Sequence, residues 1–192
     1  MGVVLAGGAS SRLGFDKALL EIAVDGVPIS LPALAAERLA TVCAQVAVAD
    51  RSRRLLPGLP SLPDGPGQGP AAGILGAAAT YPGRPLLVLA CDLPRVPSAL
   101  LAELARPENC DWVVPRWNQN RLEPLCSLYG PAALDVLAER VGRGLLAPHG
   151  LRDEPSLAVR YLEADQLARF GPPGEIFFNL NTPEDLEDLE KC

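Results

Sequence analysis

The chain has 192 residues, of which 48% are hydrophobic and 21% charged, and its formal net charge is −6. This composition is typical of a globular protein with a full core, and it argues against the basic surface of a nucleic-acid-binding protein. Five scattered cysteines without a CxxC pair argue against a disulfide framework or a zinc cluster and indicate a reducing compartment. We expect one domain over residues 1–192, with no secretion signal and no membrane span, in the cytoplasm.

The first half of the chain alternates between strand and helix patterns. In chain order it predicts a strand at 2–6, a hairpin at 18–30 that turns at Asp25-Gly26, a helix at 31–44, a strand at 45–49, a Pro/Gly-rich loop at 50–69, a helix at 70–80 and a strand at 85–91. The run PLLVLAC at 85–91 is the clearest, because a continuous apolar run is typical of a parallel strand buried on both faces.

The second half continues the alternation. It predicts a helix at 97–105, strands at 112–115 and 124–129, a helix at 132–141, a loop at 142–155, strands at 157–162 and 176–179, and a last helix capped by Thr182 with Pro183 in its first turn. Together the elements predict an α/β fold: a mostly parallel sheet with helices on both faces. Ligands of such sheets bind at the carboxyl ends of the strands, where Gly7 and Asp92 lie.

A glycine-rich loop follows the first strand and ends in Lys17, one of two lysines in a chain with 15 arginines. The loop suits phosphate binding, because glycines admit a ligand to the backbone and a lysine supplies a compact charge. It is not a Walker A loop, since Gly14 is followed by Phe15-Asp16, and it lacks the GxGxxG of a dinucleotide fingerprint.

The loop reads L-A-G-G-x-S-x-R-x-G-x-D-K from Leu5 to Lys17, and this long pattern resembles the signature of the molybdenum cofactor guanylyltransferase family. Three further stretches resemble the same family in order and spacing. They are DGPGQGPAAG at 64–73, CDLP at 91–94 and FNLNTPEDL at 178–186. The resemblance implies a single nucleotidyltransferase domain with a Rossmann-like sheet.

The resemblance also implies a reaction. GMP would pass from GTP to the terminal phosphate of molybdopterin, the organic part of the molybdenum cofactor, with release of pyrophosphate. The backbone of Leu5-Ala6-Gly7 would contact guanine, and Gly7 and Gly8 would allow close approach. Arg12 and Lys17 would hold the β- and γ-phosphates, and Asp64 would bind the ribose or the base.

The remaining residues of the implied site concern the metal and the acceptor. Asp92 would bind Mg²⁺, which prefers carboxylates and substrate phosphates. Arg121, Asn179 and Asn181 would face the pterin substrate. The chain departs from the family pattern in two places. Glu123 replaces the residue expected before Pro124, and Val48-Ala49-Asp50 stands where relatives often carry an Asn that holds the nucleotide, a contact that Asp50 would have to replace.

Other functions stay open on the sequence. A cytidylyltransferase or a sugar-1-phosphate nucleotidyltransferase would use the same chemistry, although the Gly-Gly and Asp-Lys positions and the Asn-x-Asn segment favour guanylyl transfer. A non-catalytic nucleotide-binding module is the alternative outside enzymes, and Arg12, Lys17 and Asp92 argue against it. We expect a monomer that exchanges its labile cofactor with transient delivery proteins, without nucleic-acid or membrane partners.

Overall fold

The computed structural model describes residues 1–7, 17–24, 26–106 and 108–190. The strands in this part are β1 (Gly2–Leu5), β2 (Glu21–Val24), β3 (Val27–Ser30), β4 (Val46–Ala49), β5 (Ser61–Leu62), β6 (Leu86–Ala90), β7 (Trp112–Trp117), β8 (Arg121–Leu122), β9 (Cys126–Tyr129) and β10 (Val159–Leu162). The α-helices are α1 (Leu31–Ala40), α2 (Pro70–Thr80), α3 (Ser98–Leu104), α4 (Pro131–Gly142), α5 (Ala164–Leu167), α6 (Pro173–Ile176) and α7 (Pro183–Glu190). Two 3₁₀ helices cover Lys17–Leu19 and Pro148–Asp153.

The main sheet has the strand order β10-β7-β9-β6-β1-β4-β5, with β8 paired to β7, and the hairpin β2-β3 forms a separate small sheet. Strands β6, β1, β4 and β5 run parallel to one another, and β10 is parallel to β7. Strand β9 is antiparallel to β6 and to β7. The predicted mostly parallel sheet is therefore confirmed, with one antiparallel strand inserted between its two parallel parts.

Alternate residues of the central strands face two hydrophobic layers, as the pleat of a strand requires. Val4, Leu87 and Leu89 pack with α1 and α3 on one face. Val3 and Val88 pack with α2 and α4 on the other. The strands are buried on both faces and read as continuous apolar runs for that reason. The prediction of helices on both faces is confirmed.

The register of the sheet brings the ends of three strands together. Leu5 pairs with Ala49 on one side and with Ala90 on the other. Hydrogen bonds continue the ladder beyond the strands, from the Ala6 N–H to the Ala49 carbonyl at 3.0 Å and from the Cys91 N–H to the Leu5 carbonyl at 3.1 Å. The chain segments that leave β1, β4 and β6 therefore emerge side by side at one edge.

Three predicted segments differ from the structure. The loop predicted at 50–69 contains the two-residue strand β5. The strand predicted at 176–179 is wrong, because α6 ends at Ile176 and the chain then continues without a strand. Pro172-Pro173 starts a helical turn, in which the Ile176 N–H donates to the Pro172 carbonyl at 3.0 Å. The apolar run that suggested a strand instead buries Ile176 and Phe177 in the layer of α1 and α3. The loop predicted at 142–155 contains the 3₁₀ helix Pro148–Asp153.

The other predicted elements are present with shifted ends. Helix α7 begins as expected, since the Asp185 N–H donates to the Thr182 hydroxyl at 3.3 Å and Pro183 is its first residue. The hairpin at 18–30 is formed by β2 and β3, and its turn residue Asp25 lies outside the described residues. None of the described helices combines the length and hydropathy that a membrane span requires.

Candidate active site

A cavity of about 540 Å³ opens at the carboxyl edge of β6, β1, β4 and β5. Its volume is in the range of small-molecule sites, and its position is where open α/β sheets bind ligands. Its described lining residues are Leu5, Ala6, Gly7, Lys17, Ala18, Ala49, Arg51, Asp64, Gln68, Gly69, Pro70, Gly73, Ala90, Cys91, Asp92, Leu125 and Asn181.

One end of the cavity holds Lys17, Asp92 and Asn181, which come from three distant parts of the chain. The Lys17 Nζ donates to the Asn181 Oδ1 at 2.6 Å and lies 3.5 Å from the Asp92 Oδ2. Asp92 is in this place because it lies two residues after the end of β6. Asn181 is held there by backbone contacts: the Leu180 N–H donates to the Asp92 carbonyl at 3.0 Å, and the Asn181 N–H donates to the Asp185 carboxylate at 2.8 Å.

The Asp92 carboxylate is only partly neutralised. Burial raises the pKa of Asp92, and the neighbouring Lys17 opposes this by lowering it. The Asp92 Oδ1 is buried and has no hydrogen-bond partner among the described residues. An unpartnered, buried carboxylate oxygen is costly unless a ligand satisfies it, and a divalent cation is a ligand of the right charge.

The described residues contain no group of three or more His, Cys, Asp and Glu side chains that could hold a metal. A cation at Asp92 would complete its coordination with water and substrate oxygens. Mg²⁺ at nucleotide sites is bound in this way, through one or two carboxylates and the phosphates.

The other end of the cavity is formed by Arg51 and Asp64. The Arg51 Nε donates to the Asp64 Oδ2 at 2.8 Å. Asp64 is placed by its neighbour Gly65, whose N–H donates to the Ala72 carbonyl of α2 at 2.8 Å. A Cβ at Gly65 would lie 2.6 Å from the backbone nitrogen of Gly76, so only glycine allows the loop to approach α2 this closely.

The predicted site residues fall into three groups. Leu5, Ala6, Gly7, Lys17, Asp64, Asp92 and Asn181 line the cavity. Gly8 and Arg12 lie outside the described residues. Asn179 and Arg121 are described and are not among the lining residues.

Asn179 and Arg121 lie in different surroundings. The Asn179 Oδ1 is buried without a hydrogen-bond partner among the described residues. The Arg121 Nε lies 3.0 Å from the Glu123 Oε1, and the Arg121 guanidinium lies 5.1 Å from the centre of the Trp117 ring. The Trp117 Nε1 donates to the same Glu123 oxygen at 3.0 Å. Glu123, unexpected in the sequence pattern, therefore holds Arg121 against Trp117.

Sequence reasoning missed Arg51, which follows β4 at the same edge as the predicted residues. Its neighbour Asp50, considered as a replacement for a nucleotide-binding Asn, is fully buried and is not among the lining residues. The Asp50 carboxylate accepts hydrogen bonds from the Leu55 N–H at 2.9 Å and from the Ser61 hydroxyl at 2.5 Å. Asp50 therefore stabilises the loop, and Arg51, the next residue, lines the cavity. The signal for Arg51 that the sequence offered was its position just after a predicted strand.

Comparison with known proteins identifies the family of the chain. The family model of the MobA-like NTP transferase domain matches residues 2–153. A probable molybdenum cofactor guanylyltransferase from Nostoc sp. is 36% identical over 196 residues, covering 98% of this chain and 89% of the relative. A probable molybdenum cofactor guanylyltransferase from Pelotomaculum thermopropionicum is 33% identical, covering 96% and 89%.

Solved structures share the fold along the whole chain. Molybdopterin-guanine dinucleotide biosynthesis protein A from Archaeoglobus fulgidus has a TM-score of 0.80 at 27% identity, covering 100% of this chain and 97% of that one. A 2-C-methyl-D-erythritol 4-phosphate cytidylyltransferase from Thermus thermophilus has a TM-score of 0.71 at 18% identity, covering 99% and 97%, and supports the fold alone. The chain therefore belongs to the family of MobA-like NTP transferases, together with its molybdenum cofactor guanylyltransferase relatives, and is an enzyme of the nucleotidyltransferase type.

Proposed function

We propose that the protein transfers GMP from GTP to the terminal phosphate of the molybdenum cofactor and releases pyrophosphate. The observation that carries the proposal is the cluster of Lys17, Asp92 and Asn181 at one end of a nucleotide-sized cavity, with the Arg51–Asp64 pair at the other. The names of the relatives that align over nearly the whole chain support guanylyl transfer to this acceptor.

The order of the strands supports one orientation of the nucleotide. Asp92 follows β6, Arg51 follows β4 and Asp64 follows β5, and the strand order is β6-β1-β4-β5. At about 4.8 Å per strand, the Arg51–Asp64 end lies roughly 10 to 14 Å from the Asp92 end along the sheet edge. An extended nucleoside triphosphate fits this separation with its phosphates at Asp92 and Lys17 and its base at Arg51 and Asp64. Between them, Ala6 and Gly7 offer backbone groups to the nucleotide.

Lys17 and Asp92 have complementary roles in this arrangement. Two anions must meet, so the site has to neutralise charge in place before the reaction. Lys17 is held by Asn181 and Asp92, and its ammonium can donate to the β- and γ-phosphates and to the departing pyrophosphate. Arg12 is expected to add a second cation from the glycine-rich loop.

We propose Mg²⁺ as the cofactor, with Asp92 as its protein ligand. The buried, unpartnered Oδ1 of Asp92 is the atom that fits a cation. When bound, the ion supplies additional neutralisation of the phosphate oxygens. Lys17 keeps the second carboxylate oxygen oriented from 3.5 Å.

The acceptor would approach from the side of Asn181, where α7 begins. Asn181 contacts the Lys17 ammonium and lines the cavity, so it lies where the acceptor phosphate and the nucleotide would meet. We assign Asn179 and Arg121 to the pterin side on the resemblance of their motifs. The monomeric state, the cytoplasmic location and the transient delivery partners stay predictions.

Calorimetric titration of the purified protein with GTP, CTP and ATP, each with and without Mg²⁺, tests the nucleotide and metal parts of the proposal. We expect tightest binding for GTP and a clear gain from Mg²⁺. Tighter binding of CTP would assign the protein to cytidylyl transfer instead. Failure to bind any of the three nucleotides would contradict the proposed catalytic role.

A further inference from the structure

Arg51 is placed by a turn of unusual backbone conformation at the end of β4. The Arg53 N–H donates to the Asp50 carbonyl at 3.2 Å, and the two central residues, Arg51 and Ser52, have φ angles of 59° and 61°. Turns with positive φ at both central positions normally contain Asn, Asp or Gly, because other residues are strained there. The hydrogen bond across the turn and these two φ angles fix the backbone at Arg51.

Hydrogen bonds to the buried Asp50 hold the turn in place, so the side chain of Arg51 has a defined direction. The buried Asp50 carboxylate binds the Leu55 N–H and the Ser61 hydroxyl, which ties the turn to β5. The stem of Arg51 lies over the end of β1: a Cβ built on Gly7 would be 3.4 Å from the Arg51 Cγ and 3.7 Å from its Nε. The side chain therefore crosses the cavity wall next to the nucleotide-binding backbone.

Arg51 and Asp64 form a pair that a ligand can reach. Their side chains are 51% and 30% exposed, and the Arg51 Nε donates to the Asp64 Oδ2 at 2.8 Å. A guanidinium has five N–H donors and a carboxylate accepts through two oxygens, so this one bond leaves capacity on both groups. The cavity wall thus presents hydrogen-bond donors directly beside acceptors.

The order of hydrogen-bond donors and acceptors on the cavity wall is complementary to the edge of guanine. The edge of guanine presents the acceptor O6 next to two donors, the N1–H and the 2-amino group. Cytosine presents the reverse, an amino donor next to two acceptors. A carboxylate would accept from the two guanine donors, while an adjacent guanidinium donates to O6. Against cytosine, both groups would face like partners and lose their hydrogen bonds.

We infer that Arg51 is a specificity residue, which fixes the Asp64 carboxylate and donates from its guanidinium to the O6 atom of a bound guanine base. The inference rests on the proposed function, since it concerns the base of the GTP substrate. It assigns guanine selection to the pair, with Asp64 reading the N1–H and amino donors and Arg51 reading O6.

Nucleotide titrations of an Arg51→Ala variant in Mg²⁺ test the inference. GTP, ITP and CTP are compared, because ITP keeps O6 and N1–H and lacks the 2-amino group. We expect Arg51→Ala to weaken GTP and ITP by the same factor, about 10- to 100-fold for a lost charged hydrogen bond, and to change CTP by less than about threefold. Asp64→Asn should weaken GTP more than ITP, because Asp64 alone reads the amino group.

Arg54→Ala is the matched control. Arg54 belongs to the same loop, also has a positive φ of 58°, is exposed, and is not a lining residue of the cavity. Its substitution should leave all three affinities unchanged. Arg51→Lys keeps the charge without the planar fork, and it should not restore the preference for GTP over CTP.

Three results would overturn the inference. The first is an unchanged GTP affinity in Arg51→Ala. The second is an equal loss of affinity for GTP and CTP, which would place Arg51 on the ribose or phosphates. The third is full recovery of the preference for GTP by Arg51→Lys. Thermal unfolding of each variant shows whether it is folded. A wild-type protein that binds CTP better than GTP would instead contradict the proposed function, so the two failures are distinguishable.

Discussion

The Lys17 ammonium lies 2.6 Å from the side-chain oxygen of Asn181, a residue 164 positions later in the chain. This contact joins the end of the glycine-rich loop to the start of α7, and both lie beside Asp92. The two ends of the sequence pattern thus form one site. Because Lys17 is anchored by Asn181 and Asp92, its charge is oriented before any substrate binds.

Loss of the Lys17 charge should reduce catalysis strongly. We expect Lys17→Met to lower kcat by about 100-fold or more and to weaken GTP binding, because one oriented donor at the departing pyrophosphate is worth that much. Asn181→Ala keeps the ammonium and removes its anchor, so a smaller loss of about tenfold is expected. Steady-state pyrophosphate release measures both. A Lys17→Met enzyme with wild-type kcat would contradict the role of this residue.

Removal of the Asp92 charge should abolish metal-dependent activity without unfolding the protein. Burial raises the pKa of Asp92, which means that the folded protein disfavours its ionised form. Asp92→Asn should therefore have an unfolding temperature equal to or above that of the wild type, while Mg²⁺-dependent turnover is lost. Calorimetric unfolding and pyrophosphate release are the measurements. A marked drop in unfolding temperature would show that the carboxylate is needed for folding.

The same pKa shift predicts how metal binding depends on pH. A cation binds the ionised carboxylate, so protonation of Asp92 competes with it. Because the pKa of Asp92 is raised, this competition should begin at a higher pH than for an ordinary aspartate, whose pKa is about 4. The increase in GTP affinity that Mg²⁺ provides should therefore become smaller as the pH falls, and this should begin at pH values above 4. Asp92→Asn is measured in parallel, because its pH profile shows the contribution of the nucleotide's own titration. An identical pH profile of GTP affinity for both proteins would refute the prediction.

The close approach of the Asp64 loop to α2 should make Gly76 intolerant of a side chain. A Cβ at Gly76 would lie 2.0 Å from the Pro63 carbonyl oxygen, and backbone atoms cannot rotate away. We expect Gly76→Ala to cost about 1 to 3 kcal/mol of unfolding free energy and to weaken GTP binding through a displaced Asp64. Urea unfolding and calorimetry measure the two effects.

Gly142 provides the matched control for this prediction. It is the last residue of α4, and a Cβ there would have no heavy atom within 4 Å. Gly142→Ala should stabilise the protein by about 0.4 to 1 kcal/mol, because alanine restricts the unfolded chain. Equal effects of the two substitutions would mean that the packing at Gly76 is unimportant.

Local patterns were enough to predict most of the fold. The buried runs of β1, β4 and β6 are continuous because helices cover both faces of these strands, and such runs are readable without a structure. The segment 176–179 failed for the opposite reason. Its apolar residues are buried by a helical turn that Pro172-Pro173 begins, and a short apolar run does not distinguish a strand from a buried turn.

The sequence predicted those residues of the candidate site that lie within motifs. Asp92 lies in a recognisable pattern just after β6, and Lys17 ends the glycine-rich pattern that follows β1. No motif marks Arg51 as a lining residue of the cavity, because its place there depends on a turn with two positive φ angles and on the neighbouring Asp50 being buried. Both features come from contacts with β5, which is only two residues long and lies inside a Pro/Gly-rich loop.

The most direct test of guanylyl transfer is product formation from GTP and from CTP. Wild-type protein would be incubated with Mg²⁺, the molybdenum cofactor and each nucleotide in turn, and pyrophosphate and the dinucleotide product would be quantified. We predict one pyrophosphate per guanine dinucleotide with GTP and at least tenfold slower formation with CTP. Faster product formation with CTP, or no pyrophosphate with either nucleotide, would contradict the account.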